Sequence, residues 1–465
     1  MAQTATGTRR PELIGGIGDR SAAVPGRAAA RRWLPDAVLG AAGVGLGAAV
    51  GSVLTSETRG QLTQAGGVAT FVGSLTGMVG AYLALLMVLL ISRLPLVERT
   101  IGQDQLARWH RRLAPWPIAL LALHAIAITV GYAQAARVGP WHEVGTLLSA
   151  YPGVTIATAG LGLMLAIGLV SLRAVRNRLS RETWWLIHLW MYVALAISFV
   201  HVVVLGPSFV VHPVATDLWD AVWAAAAGAI LAYRFGLPVV RSVRHRLSVV
   251  DVRTEAPGVV SIVCKGRDLE RLDVRGGQFF EWRFLARGLW WQAHPYSLSS
   301  LPRPPYVRLT VKGVGDHSKA LAALRPGTKI AIEGPYGAFT NDARTRRRVA
   351  LVAGGIGVTA IRSLLEEMPR TAEPVVVLRA SKPEDLALRA EVADLVKERR
   401  GSLQEVVGAR DEVELDAKAL RKLVPGIAER DVFVSGPESF VFHVVETLRT
   451  MGIPDEQLHY EAYAF

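Results

Sequence analysis

The stretch RWHRRLAPWPIALLALHAIAITVGYAQA, residues 108–135, decides the fold class. From Leu113 to Ala135 it holds no Asp, Glu, Lys or Arg. An uncharged apolar run of about 20 residues is the length that carries a helix across a bilayer. Working outward, the same property marks 37–56, 66–92, 154–172 and 184–206. A sixth stretch, 218–236, carries Asp220 and Arg234 near its two ends with 13 uncharged residues between them. Both charges can reach an interface. The expectation is a bundle of six spanning helices over 34–240, behind a basic disordered tail at 1–33.

The whole chain has 465 residues, is 51% hydrophobic and 20% charged, and has a mean hydropathy of +0.30. That excludes a disordered or collagen-like chain. One cysteine, Cys264, excludes a disulfide framework, a Cys-zinc site and a cysteine-ligated iron–sulfur cluster. The net charge of +13 would suit nucleic acid, but the basic residues gather beside the apolar runs. Arg93, Arg99, Arg108, Arg111 and Arg112 lie in one connection, Arg173, Arg176, Arg178 and Arg181 in another, and Arg31 and Arg32 before the first helix. The alternate loops 57–65, 136–153 and 207–217 are poor in them. The positive-inside rule then predicts both termini in the cytoplasm, and the expectation is a multi-pass plasma-membrane protein with no nucleic-acid partner. Trp109, Trp116, Trp184 and Trp185 are expected in the inner interfacial belt.

Four histidines fall within two of the expected helices: His110 and His124, 14 apart, and His188 and His201, 13 apart. A rise of 1.5 Å per residue separates each pair by about 20 Å. The two helices run the same way, so His110 levels with His188 and His124 with His201. A single histidine here would read as a core group bonded to a backbone carbonyl. Four matched in level offer two facing imidazole pairs, the arrangement that axial ligation of two b-type haems needs. A spacing of 13 is off one helical face by about 140°, which predicts a π-bulge in the fifth helix or offset haems. His142 and His212 fall in outer loops.

From His245 to Phe339 short β-rich runs alternate with turns, the pattern of a small antiparallel barrel. Within it His294-Pro295-Tyr296-Ser297 offers an aromatic ring for a planar cofactor, a hydroxyl and an imidazole. Gly276-Gly277-Gln278-Phe279 precedes it. Lys312, Gly315, His317 and Ser318 follow at a helix start, where backbone amides suit a pyrophosphate. Residues 346–465 alternate strand and helix as a doubly wound parallel sheet does. Gly354-Gly355-Ile356-Gly357-Val358-Thr359 stands at its first strand-to-helix turn. After the second strand come Arg379, Ser381 and Lys382, with Arg389 farther on. Cations and a hydroxyl there favour a 2′-phosphate, hence NADPH over NADH.

The membrane half resembles the ferric reductase-like transmembrane domain shared by NADPH oxidases and ferric-chelate reductases, and the 14 and 13 spacings are similar to those of the oxidases. The segments after it are similar to the FAD-binding barrel and the NAD(P) domain of the ferredoxin–NADP reductase family, with His294 where that family usually has Arg. The resemblance implies domains at 241–342 (FAD) and 343–465 (NAD(P)), Tyr296 packing on the isoalloxazine and Ser297 bonding near its N5. It implies that Ser435-Gly436-Pro437 lies beside the nicotinamide, with Ser435 in place of the family's Cys, and that the terminal Phe465 covers the flavin. The implied activity is electron transfer from cytosolic NAD(P)H through FAD and two haems to a small acceptor on the outer face, O2 or a ferric chelate. Ile128 stands where superoxide-forming animal relatives carry a polar His, which weakens the oxidase reading. The alternative is a membrane-anchored NAD(P)H:flavin or quinone reductase, or an electron donor to a partner protein.

Overall fold

The structure is a computed structural model and describes residues 33–56, 59–205, 213–409 and 413–463. The tail 1–32, His212 and Phe465 lie outside the described residues. The chain divides into two units that meet at Leu237 and Pro238.

The first unit is helical because its long runs carry no charge, and in lipid a backbone must satisfy its own N–H and C=O groups. The longer helices are α1 (Trp33–Ser56), α2 (Gly67–Ile91), α3 (Gln103–Leu113), α4 (Pro115–Ala136), α5 (Pro140–Ala150), α6 (Val154–Val170), α7 (Arg181–Leu205) and α8 (Pro213–Ala229). Among the described residues five spans are long and apolar enough to cross a membrane. The α5–α6 pair makes a sixth only if its 114° bend lies within one span. Helices α2 and α4 pack along their length through Gly66, Gly73, Gly77, Gly80 and Gly131, whose missing side chains let the backbones close.

The third span runs as one helix from Gln105 to Ala136: at Ala114, where α3 passes into α4, the backbone stays right-handed helical and the Ala114 N–H bonds the His110 carbonyl, while Pro115 has no N–H to add to the ladder. One expectation is corrected. The fifth helix, α7, is regular α-helix with no π-bulge. The π-helical turns lie instead at Ile230–Gly236, which continues α8 into α9 (Leu237–His245).

The second unit begins with six antiparallel strands: β1 (Ser248–Ala256), β2 (Val259–Lys265), β3 (Phe279–Phe284), β4 (His294–Ser297), β5 (Tyr306–Lys312) and β6 (Ile330–Tyr336). They form two three-stranded sheets, β1-β2-β5 and β4-β3-β6. Single bridges, Leu298–Leu309 and Ser248–Lys329, link the sheets at both edges. Alternate residues of β3, Phe280, Trp282 and Phe284, fill the core with Ile262, Cys264 and Leu309.

Five parallel strands follow: β7 (Arg348–Gly354), β8 (Val375–Ala380), β9 (Ser402–Val407), β10 (Arg430–Pro437) and β11 (Leu458–Tyr463), in the order β11-β10-β7-β8-β9. Along β7, Val349, Leu351 and Ala353 enter one core while Ala350 and Val352 enter another. A sheet covered on both faces requires that uninterrupted apolar run. Its helices include α11 (Val358–Glu367), α12 (Arg389–Glu398) and α13 (Glu438–Thr450), and the short α10 (Asp316–Ala320) precedes β6.

Candidate functional site

The membrane unit brings its four histidines together as two pairs. The rings of His110 and His188 have centres 6.1 Å apart, and those of His124 and His201 lie 6.2 Å apart. A metal–imidazole bond is about 2 Å and the ring centre lies roughly 1 Å behind the bonding nitrogen. Two imidazoles gripping one ion from opposite sides are therefore about 6 Å apart centre to centre, which both pairs match.

The members of each pair are held differently. His110 Nδ1 lies 3.3 Å from the Met87 carbonyl, and His124 Nδ1 lies 2.8 Å from the Gly73 carbonyl. Donation to a carbonyl puts the proton on Nδ1 and leaves the lone pair on Nε2. His188 Nδ1 and His201 Nδ1 are buried with no hydrogen-bond partner among the described residues. The ring of His188 is instead stacked on Trp184 at 4.9 Å. Trp184 donates to Ser171 Oγ at 3.2 Å, and the Arg176 guanidinium lies 4.6 Å from the centre of its ring. Trp184 thus orients a histidine as well as suiting an interface. Ile128 packs on Gly73 of α2.

In the second unit, β4 places His294, Pro295, Tyr296 and Ser297 opposite β3. The His294 and His317 rings are 3.8 Å apart, and the Tyr296 hydroxyl is 3.3 Å from His317 Nδ1. A cavity of about 810 Å³ opens beside His317, lined by Arg287, Gln292, Asp316 and Arg325 among others. Ser318 Oγ accepts from the Val314 and Gly315 amides, at 2.9 and 3.0 Å, and so shapes the turn into α10. Lys312 is exposed at the end of β5. Gly276 and Gly277, which flank the β4 motif in sequence, do different work. Their amides donate to Glu367 (2.8 Å) and to Ser363 Oγ (3.0 Å) and dock the antiparallel sheets on α11. A Cβ at Gly276 would stand 2.3 Å from the Ser363 carbonyl.

Gly354, Gly355 and Gly357 make the turn from β7 into α11, and Thr359 Oγ1 donates to the Ile356 carbonyl at 3.0 Å. A Cβ at Gly357 would lie 2.1 Å from the Ser435 carbonyl, so β7 and β10 end against one another. Ser435 is fully buried there, followed by Gly436 and Pro437. Sequence reasoning missed Tyr463. Its hydroxyl bonds Ser297 Oγ at 3.1 Å and Ser435 Oγ at 3.2 Å, and lies 3.4 Å from Glu461. Burial, with Glu461 alongside, pushes the phenol above its ordinary range. The signal was available: Glu461 and Tyr463 alternate on one face of the last strand.

Arg379 is spent differently from the expectation. Its guanidinium donates to the carbonyls of Gly408 (2.8 Å), Ala409 (2.9 Å) and Val413 (3.2 Å) and to that of Ala380. Ser381 and Lys382 are exposed just beyond β8. Arg389 pairs with Glu405 at 2.7 Å.

Residues 76–199 match a family described as ferric reductase like transmembrane component. The membrane half carries a ferric reductase-like transmembrane domain. The matched segment runs from α2 into α7, takes in His110, His124 and His188, and ends two residues before His201. A flavohemoprotein of Oceanobacillus iheyensis is 28% identical over 186 residues, 36% of this chain and 46% of that protein. One from Bacillus subtilis is 27% identical over 188 residues, with the same coverage. The chain therefore spans about half the length of these curated relatives. Among solved structures, the flavohem-like FAD/NAD binding domain of a Vibrio cholerae nitric oxide dioxygenase is 22% identical, with TM-score 0.41. It covers 47% of this chain and 99% of its own. A ferredoxin NADP+ reductase from Neisseria gonorrhoeae with bound FAD and NADP is 16% identical, with the same TM-score, over 47% of this chain and 97% of its own.

Proposed function

We propose that this protein is an NAD(P)H-dependent oxidoreductase that moves electrons across the membrane to an acceptor on the far face. The two imidazole pairs, at 6.1 and 6.2 Å, carry the reading. Among the described residues no cluster of three or more His, Cys, Asp or Glu side chains is placed to hold a metal. An ion between two imidazoles must then bring its other donors with it, as the four pyrrole nitrogens of a haem do. His110 with His188 would hold one haem, and His124 with His201 the second.

In the second unit the six antiparallel strands close as a flavin barrel. Tyr296 offers its ring to the isoalloxazine and Ser297 its hydroxyl, while His294, His317 and the α10 turn face the pyrophosphate. The glycine turn after β7 suits the nicotinamide dinucleotide at a helix start. With Arg379 committed to the Gly408, Ala409 and Val413 carbonyls, Ser381 and Lys382 are the groups for the 2′-phosphate of NADPH. Tyr463 stands between Ser297 and Ser435 and must yield for the nicotinamide to reach both. When bound, flavin supplies the exchange between hydride and single electrons, and haem iron the one-electron steps. The arginine-rich connections support a cytoplasmic face for both termini. The similarity to flavohemoproteins supports a flavin-bearing soluble half.

Reduced-minus-oxidised spectra and a pyridine haemochrome count on the purified full chain test this. Two b-type haems per chain are expected, and a colourless protein after expression with ample haem would refute the reading. Oxygen uptake with superoxide-dismutase-sensitive dye reduction, set against Fe(III)-citrate reduction, identifies the acceptor.

A further inference from the structure

The two histidines that precede the α5–α6 bend share a partner helix. Gly73 and Met87, whose carbonyls meet His124 and His110, are 14 residues apart on α2, as the histidines are on α3 and α4. Inside an α-helix the carbonyl of residue 73 already faces the N–H of residue 77. A side chain at 77 would lean toward the helix N-terminus and cover that carbonyl. Position 77 is glycine. A Cβ built there would stand 2.5 Å from His124 Nδ1, 2.9 Å from its Cε1 and 3.0 Å from its Cγ. These are atoms of a rigid ring held between two helices, not the free tip of a flexible chain. The equivalent position for Met87 is Ile91, which has a side chain, and there the imidazole stays farther from the carbonyl, at 3.3 Å against 2.8 Å.

We propose that Gly77 is the positioning residue of the His124–His201 haem. Its missing side chain lets His124 Nδ1–H donate to the Gly73 carbonyl, which fixes the tautomer and turns the Nε2 lone pair toward His201. This inference rests on the haem reading above. It makes the two haem sites unequal: one imidazole of the His124–His201 pair is locked by a short bond to backbone that position 77 leaves open.

The test uses the purified full chain as Gly77→Ala, with Gly80→Ala as control. The atoms nearest a Cβ at Gly80 belong to the Leu121 and Leu120 side chains, 3.0–3.3 Å away on the same helix pair. Haem count, a spectroscopic redox titration and the low-spin ferric resonance spectrum are read against His201→Ala and His188→Ala, each of which lacks one histidine of one pair. Gly77→Ala is expected to keep the His110–His188 haem and to hold the other about 10- to 100-fold more weakly, as loss of an outer-shell partner does. Gly80→Ala is expected to keep both. Unchanged haem content, potentials and resonances in Gly77→Ala would overturn the proposal. So would equal loss in Gly80→Ala, which would make the effect one of helix packing. A wild-type protein without haem would instead remove the reading on which the proposal rests.

Should Gly77→Ala fail to accumulate, His124→Gly reconstituted with haem and an added ligand decides. Imidazole, which can donate to Gly73, should restore the low-spin spectrum at about tenfold lower concentration than 1-methylimidazole, which cannot. Equal concentrations would overturn the proposal.

Discussion

Replacing Glu391 with glutamine removes one negative charge from the junction between the antiparallel and parallel sheets and leaves its shape intact. The Glu391 carboxylate accepts from both arms of Arg308, at 2.7 Å each, and from Arg362 Nε at 2.8 Å. Arg362 also pairs with Glu366, which accepts from Arg303 at 2.7 Å. Three arginines thus share two carboxylates. The Arg308 and Arg362 side chains are only 7% and 3% exposed, and Glu391 is 26% exposed. Burial works against the Glu391 charge, but the hydrogen bonds and charge of Arg308, with Arg362 behind, outweigh it and hold the carboxyl below its usual range. Stranding a buried guanidinium costs about 3–5 kcal/mol, and the partial exposure of Glu391 brings this to its lower end. At about 2–4 °C per kcal/mol for a unit of this size, Glu391→Gln should lower the temperature of flavin release from the full chain by roughly 6–12 °C. The sign with pH follows from the lowered carboxyl. The stabilisation is complete above the unfolded value of about 4.3 and is lost as pH falls through the lower folded value. Wild type should therefore lose stability in that acid window, and the variant should not show the same loss. Arg389→Ala, which breaks an exposed pair on the same helix, should leave the temperature of flavin release nearly unchanged. A Glu391→Gln shift as small as that of Arg389→Ala, or an unchanged acid profile, would refute the reasoning.

Three further outcomes are expected. His188→Ala and His201→Ala should each lose one of two haems while NADPH-driven reduction of a soluble dye persists, and loss of both haems from either variant would deny two separate sites. Tyr463→Phe removes the bonds to Ser297 and Ser435, worth about 1 kcal/mol each, and frees both hydroxyls, so KM for NADPH should fall; a raised KM would give Tyr463 a role in binding the nicotinamide rather than yielding to it. Arg379→Ala should raise KM for NADH and NADPH together, because its guanidinium holds the Gly408, Ala409 and Val413 carbonyls, and a rise confined to NADPH would show that it leaves them for the 2′-phosphate.

The helices were legible in the sequence because lipid imposes one rule on a long segment: no charge, and backbone bonded to itself. Spans expected at 66–92 and 184–206 appear as Gly67–Ile91 and Arg181–Leu205, while the one expected at 154–172 appears as Val154–Val170, long enough to cross only together with the bent α5. Position along a helix was legible too, since 1.5 Å per residue fixes level, and His110 meets His188 while His124 meets His201. Azimuth was not. A spacing of 13 predicts either a distorted fifth helix or offset haems, and α7 is regular α-helix throughout. Arg379 shows the same limit from another side. Its charge and its place after β8 suggested a phosphate, but a guanidinium has five donors, and the carbonyls of a loop some 30 residues on took them. Position in a motif tells which groups reach a site; which of them remain free is settled by backbone that the motif does not contain.

The same reasoning explains why Gly77 was invisible and His124 was not. A histidine in a membrane helix is costly, so its presence asks for a reason. A glycine in such a helix is common, so its presence asks for nothing. Only the distance from an absent Cβ to a ring nitrogen distinguishes Gly77 from Gly80 one turn on. If that distance matters, the chemistry of the His124–His201 pair depends on a residue with no chemistry of its own. Substitutions along α2 should then divide by what their new atoms would touch, rings at one position and leucine side chains at the next, and not by how closely the helices pack.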